Sequence, residues 1–278
     1  MAAPFRTRLR RHPPIITGGA LVLLIGGMAV AAPLLAPHDP NQTHLILRLR
    51  PPGADGFPLG SDGFGRDVLS RLLYGARISL AVGVWAVGIG GAAGVLLGLV
   101  GGYAGGWADV VLGRIVDVIM AFPAILLALA IVAALGPSLP NSVVAIAVTM
   151  IPRFSRVIRG VVLAIRGLEF VQAAQALGST PARIAVRHVL PNVLSPVIVL
   201  TSLGVGTAIL VEASLSFLGL GVPPPTATWG SMITDGKEYM DIAPWVSGFS
   251  GAFIMAAVLG FNLLGDGLRD LLDPRLKT

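Results

Sequence analysis

The sequence contains no cysteine. That absence excludes disulfides, thiolate metal sites and a cysteine nucleophile. Charge is also scarce: 12% of the 278 residues are charged, against about 25% in an ordinary soluble domain. Lysine occurs only as Lys237 and Lys277. Neither follows a Gly-x-x-x-x-Gly loop, so nothing in the chain can cradle a nucleotide phosphate in the Walker A manner. No histidine or aspartate pair stands at membrane depth beside a serine, which argues against an intramembrane hydrolase.

What the chain has instead is apolar length. Hydrophobic residues make up 54% of it. Long uncharged runs with few charges between them read as an all-α polytopic membrane protein with about six transmembrane helices. The formal charge of +6 comes from arginines that flank these runs. That pattern follows the positive-inside tendency rather than a nucleic-acid footprint. Arg6, Arg8, Arg10 and Arg11 precede the first run, Pro13 to His38, which is too long for a signal peptide. The reading is a cytoplasmic segment 1–14, a first helix at 15–36 and an extracytoplasmic connector at 37–77. A second span falls within Ile78–Ala108, where Gly90, Gly94, Gly98 and Gly102 form one helical stripe suited to close helix approach. A third is expected over Val118–Leu135, ended by the Gly-Pro turn "GPSLPN" (136–141). A fourth starts at Ser142 but meets Arg153, Arg156 and Arg159 within about 16 Å of helix. Either it begins inside the turn and its arginines snorkel, or that end lies in protein rather than lipid. The fifth and sixth spans are Val189–Val211 and Ile242–Gly265. The five spans of 78–267 form a core, followed by a short tail, 268–278; Asp266 beside it and Asp273-Pro274 within it look like turn and capping devices. Six spans put both termini on one side, and fourteen of the twenty Lys and Arg fall on that cytoplasmic side.

One water-facing stretch interrupts the core. "VQAAQALGSTPARIAVRHVLPN" (171–192) lies in a loop at 166–190. Gly178 can stop a helix that starts near Leu168. Ser179 or Thr180 can cap the next, with Pro181 in its first turn. Pro191 then limits that helix or opens the fifth span. The product is a small elbow whose apolar surface comes from Val171, Ala174, Leu177, Ile184 and Val189, with Ala173 and Ala174 allowing close approach. Such a shape suits a groove on a partner protein, and equally an amphipathic connector lying on lipid. Glu212, at the outer end of the fifth span, is either a functional ionisable group at membrane depth or an interfacial residue satisfied by water or a backbone amide. Residues 217–240 form a Gly/Pro-rich loop in which Pro223-Pro224-Pro225 and Trp229 suit a stiff plug or docking surface. Together Glu212 and Trp229 are candidates for a translocation path or gate.

Residues 172–191 resemble the "EAA" cytoplasmic-loop motif of ABC-importer permeases. Gln172-Ala173-Ala174, Gly178, His188 and Leu190-Pro191 keep its spacing. Gln172 stands where the motif has glutamate, and His188 where it has isoleucine; His-x-Leu-Pro is itself usual in the peptide branch. "PLGSDGFGRDVLSRLLYGARISL" (58–80), "EASLSFLGLGVPPPTATWGSM" (212–232) and "NLLGDGLRDLLDPRL" (262–276) are similar to the C-type subunit of dipeptide, oligopeptide and nickel importers. The resemblance implies a type I ABC-importer permease fold in the inner membrane and a non-enzymatic subunit. It implies, as partners, a second homologous permease, two ATPase subunits that hold ATP and Mg, an extracytoplasmic solute-binding protein, and lipid. No cofactor or metal is expected on this chain, and no nucleic acid. It places ATPase coupling on Gln172, Ala173, Ala174, Gly178, Arg187, His188, Leu190 and Pro191. The rival from another class, a secondary transporter, needs buried coupling charges, for which the spans offer few candidates.

Overall fold

A computed structural model describes residues 13–272. The cluster Arg6, Arg8, Arg10 and Arg11, and the tail from Asp273-Pro274 to Lys277, lie outside the described residues. Within them the chain is helical, with one isolated bridge between Ser61 and Asp67. Helix α1 is Pro13–Val30. The connector ends at Asp67, which caps α2, Val68–Ala104, by accepting from the Ser70 backbone N–H at 2.9 Å. The second span therefore starts well before the expected Ile78. Its early polar residues Ser70 and Arg71 are buried against protein partners, so charge does not mark the helix start.

The third span is not the single helix expected over Val118–Leu135. It is α3, Gly106–Met120, followed by α4, Ala124–Leu135, at an angle of 87°. Pro123 supplies no N–H and disfavours helical backbone at Phe122, so the first half stops at Met120. Helix α5, Leu139–Arg166, does begin inside the Gly-Pro turn, where Ser138 Oγ accepts from the Asn141 N–H at 3.2 Å. Its 28 residues reach about 42 Å. Two of its arginines face protein: Arg156 pairs with Asp117 at 2.9 Å, and Arg159 grips Asp109 through Nε at 2.5 Å and Nη2 at 2.6 Å.

After α5 come α6, Glu169–Ala176, and α7, Pro181–Ile184. A π-helical turn, Ala185–Val189, then leads without a break into α8, Leu190–Phe217. The expected fifth span is thus part of one continuous helix from Pro181 to Phe217. Helix α9 is Trp229–Gly236 and α10 is Trp245–Leu272. Asp266, expected in a turn, lies within α10. The glycines beside it do not break the helix because they are packed: Gly265 meets Leu203 and Gly267 meets Ile15. Helices α1, α2, Pro181–Phe217 and α10 are each long and apolar enough to span a membrane, and the bent α3–α4 pair is apolar enough only when taken together, as a broken span or a re-entrant loop. Helix α5 is the sixth long segment, set apart by its arginines.

The core is centred on α2, α5 and α8, through residues such as Val82, Val87, Ile146, Phe154 and Ile209. Helices α2 and α5 run side by side in the same direction. The glycine stripe forms the seam. A Cβ at Gly94 would lie 2.6 Å from the Ile151 carbonyl and from Phe154 Cβ, one at Gly98 2.6 Å from the Ser155 carbonyl, and one at Gly102 3.0 Å from Val162 Cβ. Gly90 meets the Ala147 carbonyl in the same way. Gly94→Ala is accordingly expected to cost about 1–3 kcal/mol by overpacking. Gly160→Ala, where an added Cβ meets nothing within 4 Å, should be neutral or stabilising by up to ~1 kcal/mol. Thermal unfolding of the two variants in detergent checks the contrast.

Candidate functional site

The elbow is assembled from standard local chemistry. Helix α6 ends in a Schellman turn: the Gly178 N–H donates to the Gln175 carbonyl at 2.9 Å and the Ser179 N–H to the Ala174 carbonyl at 3.1 Å. Gly178 holds φ +78° with open space around it, so its requirement is backbone conformation rather than room. Thr180 caps α7, its Oγ1 accepting from the Arg183 N–H at 3.4 Å, and Pro181 follows. The π turn comes next to Pro191, which has no N–H to give the preceding helical turn. There the Leu190 N–H donates to the Ala185 carbonyl, and Asn192 Nδ2 donates to the His188 carbonyl at 2.7 Å.

Packing makes this elbow an integral part of the molecule. Val171, Ala174, Ile184 and Val189 bury themselves against Ile158, Val162 and Ile165 of α5 and Val193 of α8. Four of the five residues expected to offer an apolar docking face therefore point inward. Of the five only Leu177 projects outward, 86% exposed beside Gly178, and Phe170 and Val186 are exposed with it. His188 is half-buried and packs across the elbow on Phe170, ring centroids 6.3 Å apart. Gln172 is exposed and its Nε2 donates to the Gly167 carbonyl at 3.2 Å. Ala173, Arg187 and Pro191 are exposed, and Leu190 is half-buried. All the coupling candidates thus lie within this one unit.

Glu212 and Trp229 lie elsewhere. Glu212 is about 33 Å along α8 from Leu190. It is 1% exposed, which rules out an interfacial, water-satisfied carboxyl. Ser216 Oγ donates to its Oε1 at 2.9 Å and Ser79 Oγ to its Oε2 at 3.3 Å. Ser79 Oγ in turn accepts from the Trp229 backbone N–H at 3.2 Å, and Trp229 Nε1 donates to the Leu72 carbonyl at 3.2 Å. Trp229 is fully buried, so in this conformation it is a core residue rather than a plug or an exposed docking residue. Together the two residues join α2, α8 and α9.

Sequence reasoning missed a charged clasp at the same end. Asp62 Oδ1 accepts from the backbone N–H of Phe64 and of Arg66, both at 2.9 Å. Its Oδ2 meets Arg66 Nε at 2.6 Å and Arg71 Nε at 3.5 Å. Both arginines reach on to Asp235 of α9, at 3.0 and 3.6 Å. Asp62, Arg66 and Arg71 are buried. The signal was present in "GSDGFGRDVLSR": acids and arginines this dense, in a chain this poor in charge, are partners for one another.

A bundle of membrane-length helices, broken by one compact elbow and closed at the opposite end by a clasped loop, is the architecture of a multi-pass membrane protein. The comparisons name the family. Residues 94–278 match the binding-protein-dependent transport system inner membrane component, and residues 3–52 match the N-terminal transmembrane domain of oligopeptide transport permease C. The chain belongs to this family of ABC-importer permeases, in its C-type peptide branch. It is 46% identical over 98% of its length to the dipeptide transport system permease protein DppC of Alkalihalophilus pseudofirmus, covering 89% of that protein. It is 44% identical over 99% of its length to the glutathione transport system permease protein GsiD of Pectobacterium atrosepticum, covering 91% of it. The probable D,D-dipeptide transport system permease protein DdpC of Escherichia coli is 43% identical over 96% of this chain, with 89% of that protein covered. A solved structure of the MetNI methionine ABC transporter, in an inward-facing conformation, shares the fold. Its TM-score is 0.60 at 19% identity, over 73% of this chain and 96% of that one.

The clasp yields a prediction of its own. Asp62→Ala leaves Arg66 and Arg71 buried with half their partners gone, a change that costs about 3–5 kcal/mol. Thermal unfolding of the detergent-solubilised protein, against a substitution of exposed Asp55, measures it.

Proposed function

We propose that this chain forms half of the translocation pathway of an ATP-driven importer of di- and oligopeptides and couples to an ATPase subunit through the elbow at 168–190. The observation that carries the coupling is the elbow's construction. Its inner face is locked to α5 and α8, while Leu177, Phe170 and Val186 remain for a partner's groove. A push on the elbow is thereby delivered to two membrane-length helices at once. ATP and Mg belong to the two ATPase subunits, and this chain supplies no catalytic group. The elbow end is cytoplasmic, as are both termini, and a second permease and an extracytoplasmic binding protein complete the assembly. Nickel chelates and other small solutes remain within reach of the same architecture. Glutathione is the second reading for the solute, favoured by the relative named for its transport.

ATP-driven uptake by the reconstituted complex tests the function. Gly178→Val forces a β-branched residue into the left-handed region, a cost of about 1–2 kcal/mol or more. It is expected to uncouple ATP hydrolysis from uptake, whereas Gly178→Asn, which tolerates that backbone, retains most of the coupling. Equal transport by the parent and the valine variant would overturn the coupling role. At Gln172 the amide donates to Gly167, which a carboxylate cannot do. Losing one exposed hydrogen bond costs at most about 1 kcal/mol. Gln172→Glu should therefore keep its ATPase stimulation in the reconstituted complex, and loss of that stimulation would show that the partner groove discriminates against the charge.

A further inference from the structure

The arginines of α5 are not equivalent. Arg156 and Arg159 are satisfied by Asp117 and Asp109, and Arg166 donates to the carbonyls of Gly102 and Tyr103. Arg153 is exposed and makes no ion pair or side-chain hydrogen bond among the described residues. It follows Pro152 and stands midway along the helix, about 21 Å from Leu139. An unpartnered arginine on a membrane-length helix does not face hydrocarbon without cost; it marks a water-filled face or a partner.

The surroundings of Arg153 say which. It lines two grooves at once. One, of about 480 Å³, lies between α5, α8 and α10 and includes Ser195, Leu203 and Arg269. The other, of about 360 Å³, lies between α5 and the α3–α4 bend and includes Phe122 and Thr149. Among the described residues, no acidic residue lines either groove. Arg269 is also exposed and carries no side-chain partner among the described residues. The result is a concave face with apolar walls, a few hydroxyls and uncompensated positive charge at its centre. Such a face selects an anion, and a guanidinium fork matches the planar carboxylate best.

We propose that Arg153, with Arg269 as a second positive charge, is a station on the translocation path that receives the carboxylate of the passing solute. The proposal rests on the importer reading above. The solutes for which the relatives are named, dipeptides, D,D-dipeptides and glutathione, share one chemical feature, a free carboxylate. A lipid phosphate is the other source of a suitable anion. The meeting of two apolar-walled grooves at Arg153 favours the solute; Arg269 stands in the last turn of α10, within reach of a headgroup, and the vesicle arms of the test below separate the two sources.

The absence of cysteine makes the test clean. In the complete importer, reconstituted in liposomes, Arg153→Cys places a single thiol in this subunit. ATP-driven dipeptide uptake is expected to fall about tenfold or more, as for the loss of a charged hydrogen bond. Arg153→Gln should fall equally. Modification with a cationic aminoethyl methanethiosulfonate, in which the thiolate forms a mixed disulfide and methanesulfinate leaves, should restore a large part of the uptake, and the neutral methyl methanethiosulfonate should not. Added dipeptide should slow the modification, and the results should be the same in zwitterionic and anionic vesicles. Unchanged uptake in Arg153→Cys, or equal rescue by the neutral reagent, would overturn the station. A defect that appears only in anionic vesicles would overturn it in favour of a lipid phosphate. If the parent complex shows no ATP-driven dipeptide uptake, the peptide-importer reading itself fails, and the proposal with it.

Discussion

The close approach of α2 to α5 is the constraint on which the rest depends. In a membrane there is no hydrophobic force to press two apolar helices together, so contact area has to come from surface shape. Gly90, Gly94, Gly98 and Gly102 remove side chains from one stripe of α2 over three successive turns. The backbone carbonyls of Ala147, Ile151 and Ser155 settle into the space. Because both helices run in the same direction, the register holds along the whole seam. Helix α5 is thus fixed in depth and rotation despite three arginines that no lipid-facing helix would welcome. Its orientation then decides which of those arginines meet Asp109 and Asp117 and which one faces the grooves.

Charge is distributed by the same logic. The chain has few ionisable groups, and most of those at depth are paired. The bidentate Arg159–Asp109 contact and the Arg156–Asp117 contact attach α3 to α5 just before the chain bends at Pro123. At the other end, Asp62 and Asp235 hold Arg66 and Arg71 between the connector and α9. A buried ion network of this kind is a weak source of net stability against an apolar alternative. It is directional, however, and it fixes how a loop without a core of its own meets the bundle. Glu212 does the corresponding work one layer in, where Ser79 links its carboxyl to the amide of Trp229.

Much of the fold was legible in the sequence, because its strongest signals are local or periodic. The apolar runs, the four-residue glycine stripe, the stop at Gly178 and the Thr180-Pro181 start all depend on near neighbours. The resemblance carried the family, since its motif spacing survives two substitutions. What was not legible depends on partners distant in sequence. Ser70 and Arg71 look like a polar connector until Asp62 and Asp235, far along the chain, are brought beside them. Glu212 looks interfacial until Ser79 and Trp229 close over it. Val171, Ala174, Ile184 and Val189 look like a docking face because periodicity shows that a face is apolar without showing which side is covered. The bend at Pro123 was readable in principle: a proline near the start of an apolar run is a local signal, overridden by the run's length.

The continuity of Pro181–Phe217 changes what the elbow can do. Had the helix ended at Pro191, motion at the elbow would have been absorbed by a hinge. Instead one helix carries the outward Val186 near one end and the buried Glu212 near the other, roughly 39 Å apart along its axis. Its two compliant points, the π turn at Ala185–Val189 and Pro196, both lie in the first half. Under the proposed function, a displacement of the elbow either bends the helix at those points or tilts the whole of it. The packing of Val189 and Val193 onto α5 stiffens the bend and favours the tilt. A tilt of that length moves the far end by more than the near end, and the far end is where Glu212 and Ser79 tie α8 to α9 and α2. Under the proposed function the elbow and the clasped loop are therefore joined by one continuous helix, and α5, packed on the elbow and seamed to α2, takes up the same push.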